Sequence, residues 1–188
     1  HLNLMRTTIT IIFSLCAILL SCKKESKSTD VLTTSHKEEA QNPKQEMSKM
    51  KTSVLTKAQF HDFFPDYIGS HKQYNIYVAA PEAMATASYG DFDNTFTYSL
   101  TDGAKKPAVL KNFENSYASQ LKGPDGTHYI KKERDGHKTI AFLQPKINRY
   151  LIEFIYNNRF KLSIEGSEHP DALWSYIKKE DLQKLDTY

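Results

Sequence analysis

Apolar residues are laid out along this chain in two ways. From Ile9 to Leu20 they run almost without interruption, and from Leu55 onward they alternate or recur at helical spacing between polar positions. The first helical signal is the capping box Thr56-Lys57-Ala58-Gln59, which predicts a short helix with Phe60, Phe63 and Phe64 turned inward and Pro65 as its stop. Period-2 patterns follow in Tyr74 to Ala80, Met84 to Tyr89 and Thr95 to Thr101, the last with Phe96, Tyr98 and Leu100 on one face. Between Lys106 and Leu121 the period changes, with Leu110, Phe113 and Tyr117 at helical spacing before Gly123 and the turn Pro124-Asp125-Gly126.

Four further strands come in pairs. Asp135-Gly136 joins Thr127–Arg134 to His137–Gln144, and Asn157-Asn158 joins Ile147–Tyr156 to Arg159–Gly166, both at hairpin spacing. In the second pair Tyr150, Ile152, Phe154 and Tyr156 share a face, as do Phe160, Leu162 and Ile164. The chain closes on a helix opened by Pro170, with Ala172, Leu173, Tyr176 and Ile177 on one stripe and Trp174 off it, reaching for a flanking loop. Helix, three strands, helix, four strands, helix is an α+β order. It predicts a mostly antiparallel sheet of about seven strands with the helices over one face.

The apolar run of about 12 residues is shorter than the roughly 20 needed to span a bilayer. Following Met5 and Arg6, it has the form of a secretory signal. At its end Leu19-Leu20-Ser21-Cys22 resembles the lipobox of bacterial lipoproteins, with Leu20 bulkier than the small residue usual there. The run Ser21-Cys22-Lys23-Lys24 is similar to lipoproteins of the Bacteroidota. This resemblance implies cleavage before Cys22, diacylglycerol on its sulfur and, with lysines rather than an aspartate after the cysteine, a place in the outer membrane. More than one acyl chain anchors a protein stably without a membrane-spanning helix. Residues 23–54 hold no aromatic and few apolar side chains, a composition that reads as a flexible stalk.

Charge adds less than its total suggests. The chain carries +3, but the stalk holds seven lysines against five acids, and from Leu55 onward basic and acidic residues are equal in number. The clustered positive footprint of a nucleic-acid binder is therefore missing from the folded part. The cysteines are Cys16, in the signal, and Cys22. The folded part has neither a disulfide nor a thiol nucleophile.

Two further likenesses concern Leu55–Tyr188, read as one domain. Its element order is similar to that of the photosystem extrinsic proteins of the Mog1/PsbP type. Its fragments "TASYG", "FTYSLTD" and "KLSIEG" look like a group of bacterial lipoprotein domains for which no enzymatic activity is known. Candidate chemistry is sparse. Asp91, Asp93, Thr95 and Asp102 have calcium-loop spacing, but Phe96 stands where that loop needs glycine, so a hairpin turn is the reading. His128 and His137 fall in one hairpin, close enough on paper for weak metal binding. No cofactor motif occurs. The least bland stretch is Ile147–Tyr156, whose second face reads Ile147, Arg149, Leu151, Glu153, Ile155. One reading is a solvated face with an Arg149–Glu153 contact. The other is an open face that receives a partner or ligand through Arg149, Leu151 and Glu153, aided by Tyr77 or Tyr89.

The function expected from these patterns is a non-catalytic binding or interaction module held at the membrane, one form of which is a periplasmic immunity protein acting on a protein partner. The alternative is a small envelope hydrolase working through a carboxylate pair.

Overall fold

A computed structural model describes residues Ser53–Tyr188; the signal run, Cys22 and nearly all of the stalk lie outside the described residues. Helix α1 (Lys57–Phe63) begins where the capping box places it. The Thr56 N–H donates to Gln59 Oε1 at 2.7 Å and the Gln59 N–H donates to Thr56 Oγ1 at 3.3 Å. The helix ends at extended Phe64, before Pro65. Strands β1 (Tyr67–Ile68), β2 (His71–Ala79), β3 (Met84–Asp91) and β4 (Asn94–Asp102) lead to α2 (Pro107–Ala118). Strands β5 (His128–Arg134), β6 (His137–Gln144), β7 (Arg149–Tyr156) and β8 (Phe160–Gly166) precede α3 (Pro170–Ser175) and α4 (Lys179–Lys184).

The eight strands form one sheet in the order β1-β2-β3-β4-β8-β7-β6-β5, and every pairing is antiparallel. Two tight hairpins depend on left-handed backbone at Asp135 (φ 48°) with Gly136 (φ 79°), and at Asn157 (φ 49°) with Asn158 (φ 50°). Glycine and asparagine adopt that conformation at low cost, so these dipeptides fix the register of the strands they join. The eighth strand, β1, is two residues long and pairs only with His71 and Lys72, too short to leave a periodic signal.

Register divides the sheet cleanly into two faces. On the first, the row Ile76, Ala87, Tyr98, Ile164, Ile152, Ala141 crosses from β2 to β6. It packs into one core with Phe60, Phe63, Leu173, Leu182 and Leu185 from the terminal helices. Each fully buried large aliphatic or aromatic side chain there contributes about 1.5–3 kcal/mol relative to exposure. The rings of Phe63 and Phe64 meet Tyr98 edge-on at 5.5 and 5.7 Å. The Tyr98 hydroxyl, fully buried, has no hydrogen-bond partner among the described residues. An unsatisfied buried hydroxyl costs about 1–3 kcal/mol. Tyr98→Phe is therefore expected to raise the unfolding free energy by about 1 kcal/mol, read as a higher urea midpoint at unchanged slope.

The second face corrects the one-sided layering expected from the sequence. Lys138, Ile140 and Ile155 point away from the core, because Thr139, Ala141 and Phe154 between them are the buried partners of the first face. Helix α2 covers this region. Lys138 Nζ donates to Glu114 at 2.8 Å, and Lys131 Nζ donates to the Tyr117 carbonyl at 2.7 Å and to that of Ser119. Phe113 and Ile140, each 3% exposed, are buried here outside the main core. The cause is the apolar character of Ile140 and Ile155 on outward positions, which a solvated sheet face does not stabilise.

A buried ion pair closes the end of the sheet where β4 stops and β8 starts. Asp102, fully buried, accepts from Arg159 Nε at 2.9 Å and Nη2 at 2.8 Å, from the Leu55 N–H at 2.8 Å and from the Ala104 N–H at 2.9 Å. Arg159 also donates to the Ser53 and Tyr188 carbonyls, both at 2.7 Å, with its guanidinium 4.6 Å above the Phe160 ring centre. One arginine thus fastens the first and last described residues to the middle of the sheet. Burial pushes the Asp102 carboxyl up, but the hydrogen bonds from Arg159, Ala104 and Leu55 outweigh it and hold the group below the usual carboxylate range.

Candidate ligand-binding cleft

The charged residues singled out on the second face of β7 are each tied to a neighbouring strand. Arg149 Nε donates to Glu165 at 2.6 Å and Nη1 to the Thr95 carbonyl at 2.7 Å, while Glu153 pairs with Lys161 at 2.6 Å. Both ion pairs join strand β7 to its diagonal neighbours on β8, the natural reach for long side chains across a sheet. Arg149 and Glu153 stand four residues apart on an extended strand, roughly 13 Å, so the direct contact expected between them does not form. Leu151 is half-buried between them. Tyr89 is on the other face altogether: it is fully buried in the core, where Gln73 Nε2 donates to its hydroxyl at 3.4 Å. Ile147 belongs to a single 3-10 turn before β7 rather than to the strand, and Tyr77 is exposed on β2.

The other sequence candidates also resolve into structure. Asp91 and Asn94 pair across the β3–β4 hairpin, and Asp102 is held by Arg159, so the aspartates do not converge. His137 lies opposite Arg134 and His128 opposite Leu143, at the two ends of the β5–β6 hairpin. Among the described residues no group of three His, Cys, Asp or Glu side chains is placed to hold a metal ion.

A concave site is built elsewhere, where the β5–β6 turn meets α3 and α4. Asp135, His137, Tyr156, Trp174, Ile177, Lys179 and Leu182 line a cleft of about 440 Å³, within the usual range for small-molecule sites, about 300–1,000 Å³. Each wall has a local cause. Asp135 is projected by its left-handed turn and accepts from Trp174 Nε1 at 2.8 Å, which fixes the plane of the indole. That contact is the flanking-loop reach expected of the off-stripe tryptophan. The buried Phe154 ring backs the indole edge-on at 5.1 Å and lies 5.4 Å from the His137 ring. His137 is in turn 5.7 Å from Tyr156 and 6.3 Å from Trp174.

Helix α3 is pinned over the sheet by an ion pair beside the cleft. Arg134, 7% exposed, donates to Asp171 at 2.8 Å through Nη2 and to Thr139 Oγ1 at 2.5 Å through Nη1. The guanidinium hydrogen bond holds the Asp171 carboxyl below its ordinary range. On the far side the Tyr156 hydroxyl donates to Asp186 at 2.8 Å, and burial together with that acceptor pushes it up to about 12, so it stays a neutral donor. On the cleft lining the exposed Lys179 forms no hydrogen bond or ion pair among the described residues. Asp135 uses Oδ2 for the indole.

No spacing in the sequence announces this cleft, since its residues come from a turn, a strand end and two short helices. The one available signal was the tryptophan that did not fit its helix stripe. No family model matches the chain, and neither a curated protein nor a solved structure matches it.

Proposed function

We propose that this chain is a lipid-anchored binding module of the bacterial envelope. Acyl chains on Cys22 hold it at the outer membrane, and the cleft between the β5–β6 turn, α3 and α4 receives a small ligand or one unit of a larger one. The observation that supports binding is the preorganisation of the cleft: the indole of Trp174, fastened to Asp135 and backed by Phe154, presents a fixed aromatic wall beside an unpaired Lys179. Rigid walls of this kind reduce the ordering cost of association. A binding role also fits the arrangement of the carboxylates, for Asp102, Glu153 and Glu165 are each neutralised by a basic partner instead of being paired with one another as an acid and a base.

Anchoring and binding are tested separately. Cys22→Ser is expected to abolish incorporation of radiolabelled fatty acid and to move the protein out of the pelleted membranes; persistence of both label and pelleting refutes the anchor. For the cleft, native mass spectrometry after equilibration with low-mass envelope extract is expected to show a retained adduct on the full chain and not on His137→Ala. Equal adducts on both, or none on either, refute the site.

A further inference from the structure

The chemistry of the cleft narrows its ligand, and the inference rests on the reading that the cleft is the binding site. Four groups define the cleft chemically. The Trp174 indole and the His137 and Tyr156 rings supply flat walls, the kind of surface on which the C–H face of a sugar ring or another flat ring stacks. The Asp135 carboxylate, held in place by the indole N–H through Oδ2, keeps Oδ1 as an acceptor for hydroxyl donors. Lys179 is an exposed ammonium on the cleft lining with no carboxylate partner among the described residues. Half-buried Ile177 and buried Leu182 add lining that carries no polar side-chain atom.

Each simpler ligand class leaves one of these groups unmatched. A wholly apolar molecule would cover the ionic rim and leave Asp135 and Lys179 desolvated, which costs free energy without return. A quaternary ammonium would use the rings and Asp135 but sit against the Lys179 charge. A phosphoryl group prefers bidentate arginine or a cluster of backbone N–H donors, and Lys179 alone lines the cleft as a cation. A ring that carries both hydroxyls and a carboxylate uses everything present. We propose that the cleft binds an acidic saccharide, with the ring stacked on Trp174, a ring hydroxyl donating to Asp135 and the carboxylate paired with Lys179. At the cell envelope such a unit would belong to a glycan chain, whose neighbouring sugars run out through the mouth.

Trp174 is the single tryptophan of the chain, so its emission reports the cleft and nothing else. The full chain in mild detergent is titrated with tri-galacturonate and, separately, with neutral maltotriose. A saturable change in emission is expected with the acidic trimer and none with the neutral one. Lys179→Gln, a change at an exposed position that leaves the core untouched, is expected to weaken acidic binding about three- to tenfold. Absence of a saturable response to tri-galacturonate overturns the acidic-saccharide assignment, as does an equal response to maltotriose or an affinity indifferent to Lys179→Gln. If in any of these cases the envelope adduct still forms on the chain and is lost in His137→Ala, the cleft stands as a binding site and only its ligand class has failed.

Discussion

Replacing Arg159 by alanine lowers the unfolding free energy by about 3–5 kcal/mol, the expected cost of leaving a buried carboxylate without its counter-ion. The loss is large against the 5–15 kcal/mol typical of a folded domain. It is also delocalised, because Arg159 bridges Asp102, Ser53 and Tyr188, so both termini of the folded part loosen with it. Hydrogen exchange is expected to show the Leu55 and Ala104 amides losing protection first. The same pair carries a pH signature. Because the folded-state carboxyl of Asp102 is held below its usual value, its contribution is fully present above the ordinary carboxylate range, roughly pH 4, and fades as pH falls through the lower folded value. Asp102→Asn forfeits that contribution. The stability gap between wild type and Asp102→Asn, measured by urea denaturation, should therefore narrow below about pH 4. A gap that stays constant from pH 7 to pH 3 contradicts the linkage.

Where the sequence was legible and where it was not follows from how strongly each position constrains the backbone. The hairpins were readable because Asp135-Gly136 and Asn157-Asn158 demand left-handed turns, and the turn then dictates which residues face one another. The faces of β4, β7 and β8 were readable because bulky apolar residues alternate with polar ones. Strand β3 was not. Its buried Ala85 and Ala87 are small residues like the outward Thr86 and Ser88 and carry only a weak apolar signal, so parity is ambiguous, and Tyr89, expected on the open face, belongs to the core. Helix α2 revealed its apolar stripe but not which side of the sheet would receive it. That choice is set by Ile140 and Ile155, whose outward apolar side chains require cover that only the tertiary arrangement supplies. Pairing of Arg149 with Glu165 and of Glu153 with Lys161 follows instead from the Asn157-Asn158 hairpin, whose register sets these residues on diagonal positions of β7 and β8; a pattern read along β7 alone does not show it.

The second large effect is expected at Phe154, where fold and site meet. Its ring is fully buried in the centre of β7, between Thr139 on β6 and Leu162 on β8. Truncation to alanine removes that apolar surface and leaves a cavity that strands locked in register do not close. The expected cost is about 3–5 kcal/mol. On the opposite face of the same strand, Leu151→Ala removes a half-buried side chain and is expected to cost about 1 kcal/mol. The two variants therefore separate burial from strand position. Phe154 also backs Trp174 and His137, so its loss frees the indole to move. Trp174 emission is expected to shift to the red in Phe154→Ala and to keep its wild-type maximum in Leu151→Ala. Phe154→Leu tests the link between the two effects, since leucine restores most of the volume but not the edge-on ring contact. If it recovers most of the stability while ligand binding stays weak, the aromatic backing of the cleft acts on recognition and not merely on folding. Recovery of both together would mean that any apolar filler holds the wall, and a loss below about 1 kcal/mol in Phe154→Ala would contradict the packing of β7 itself.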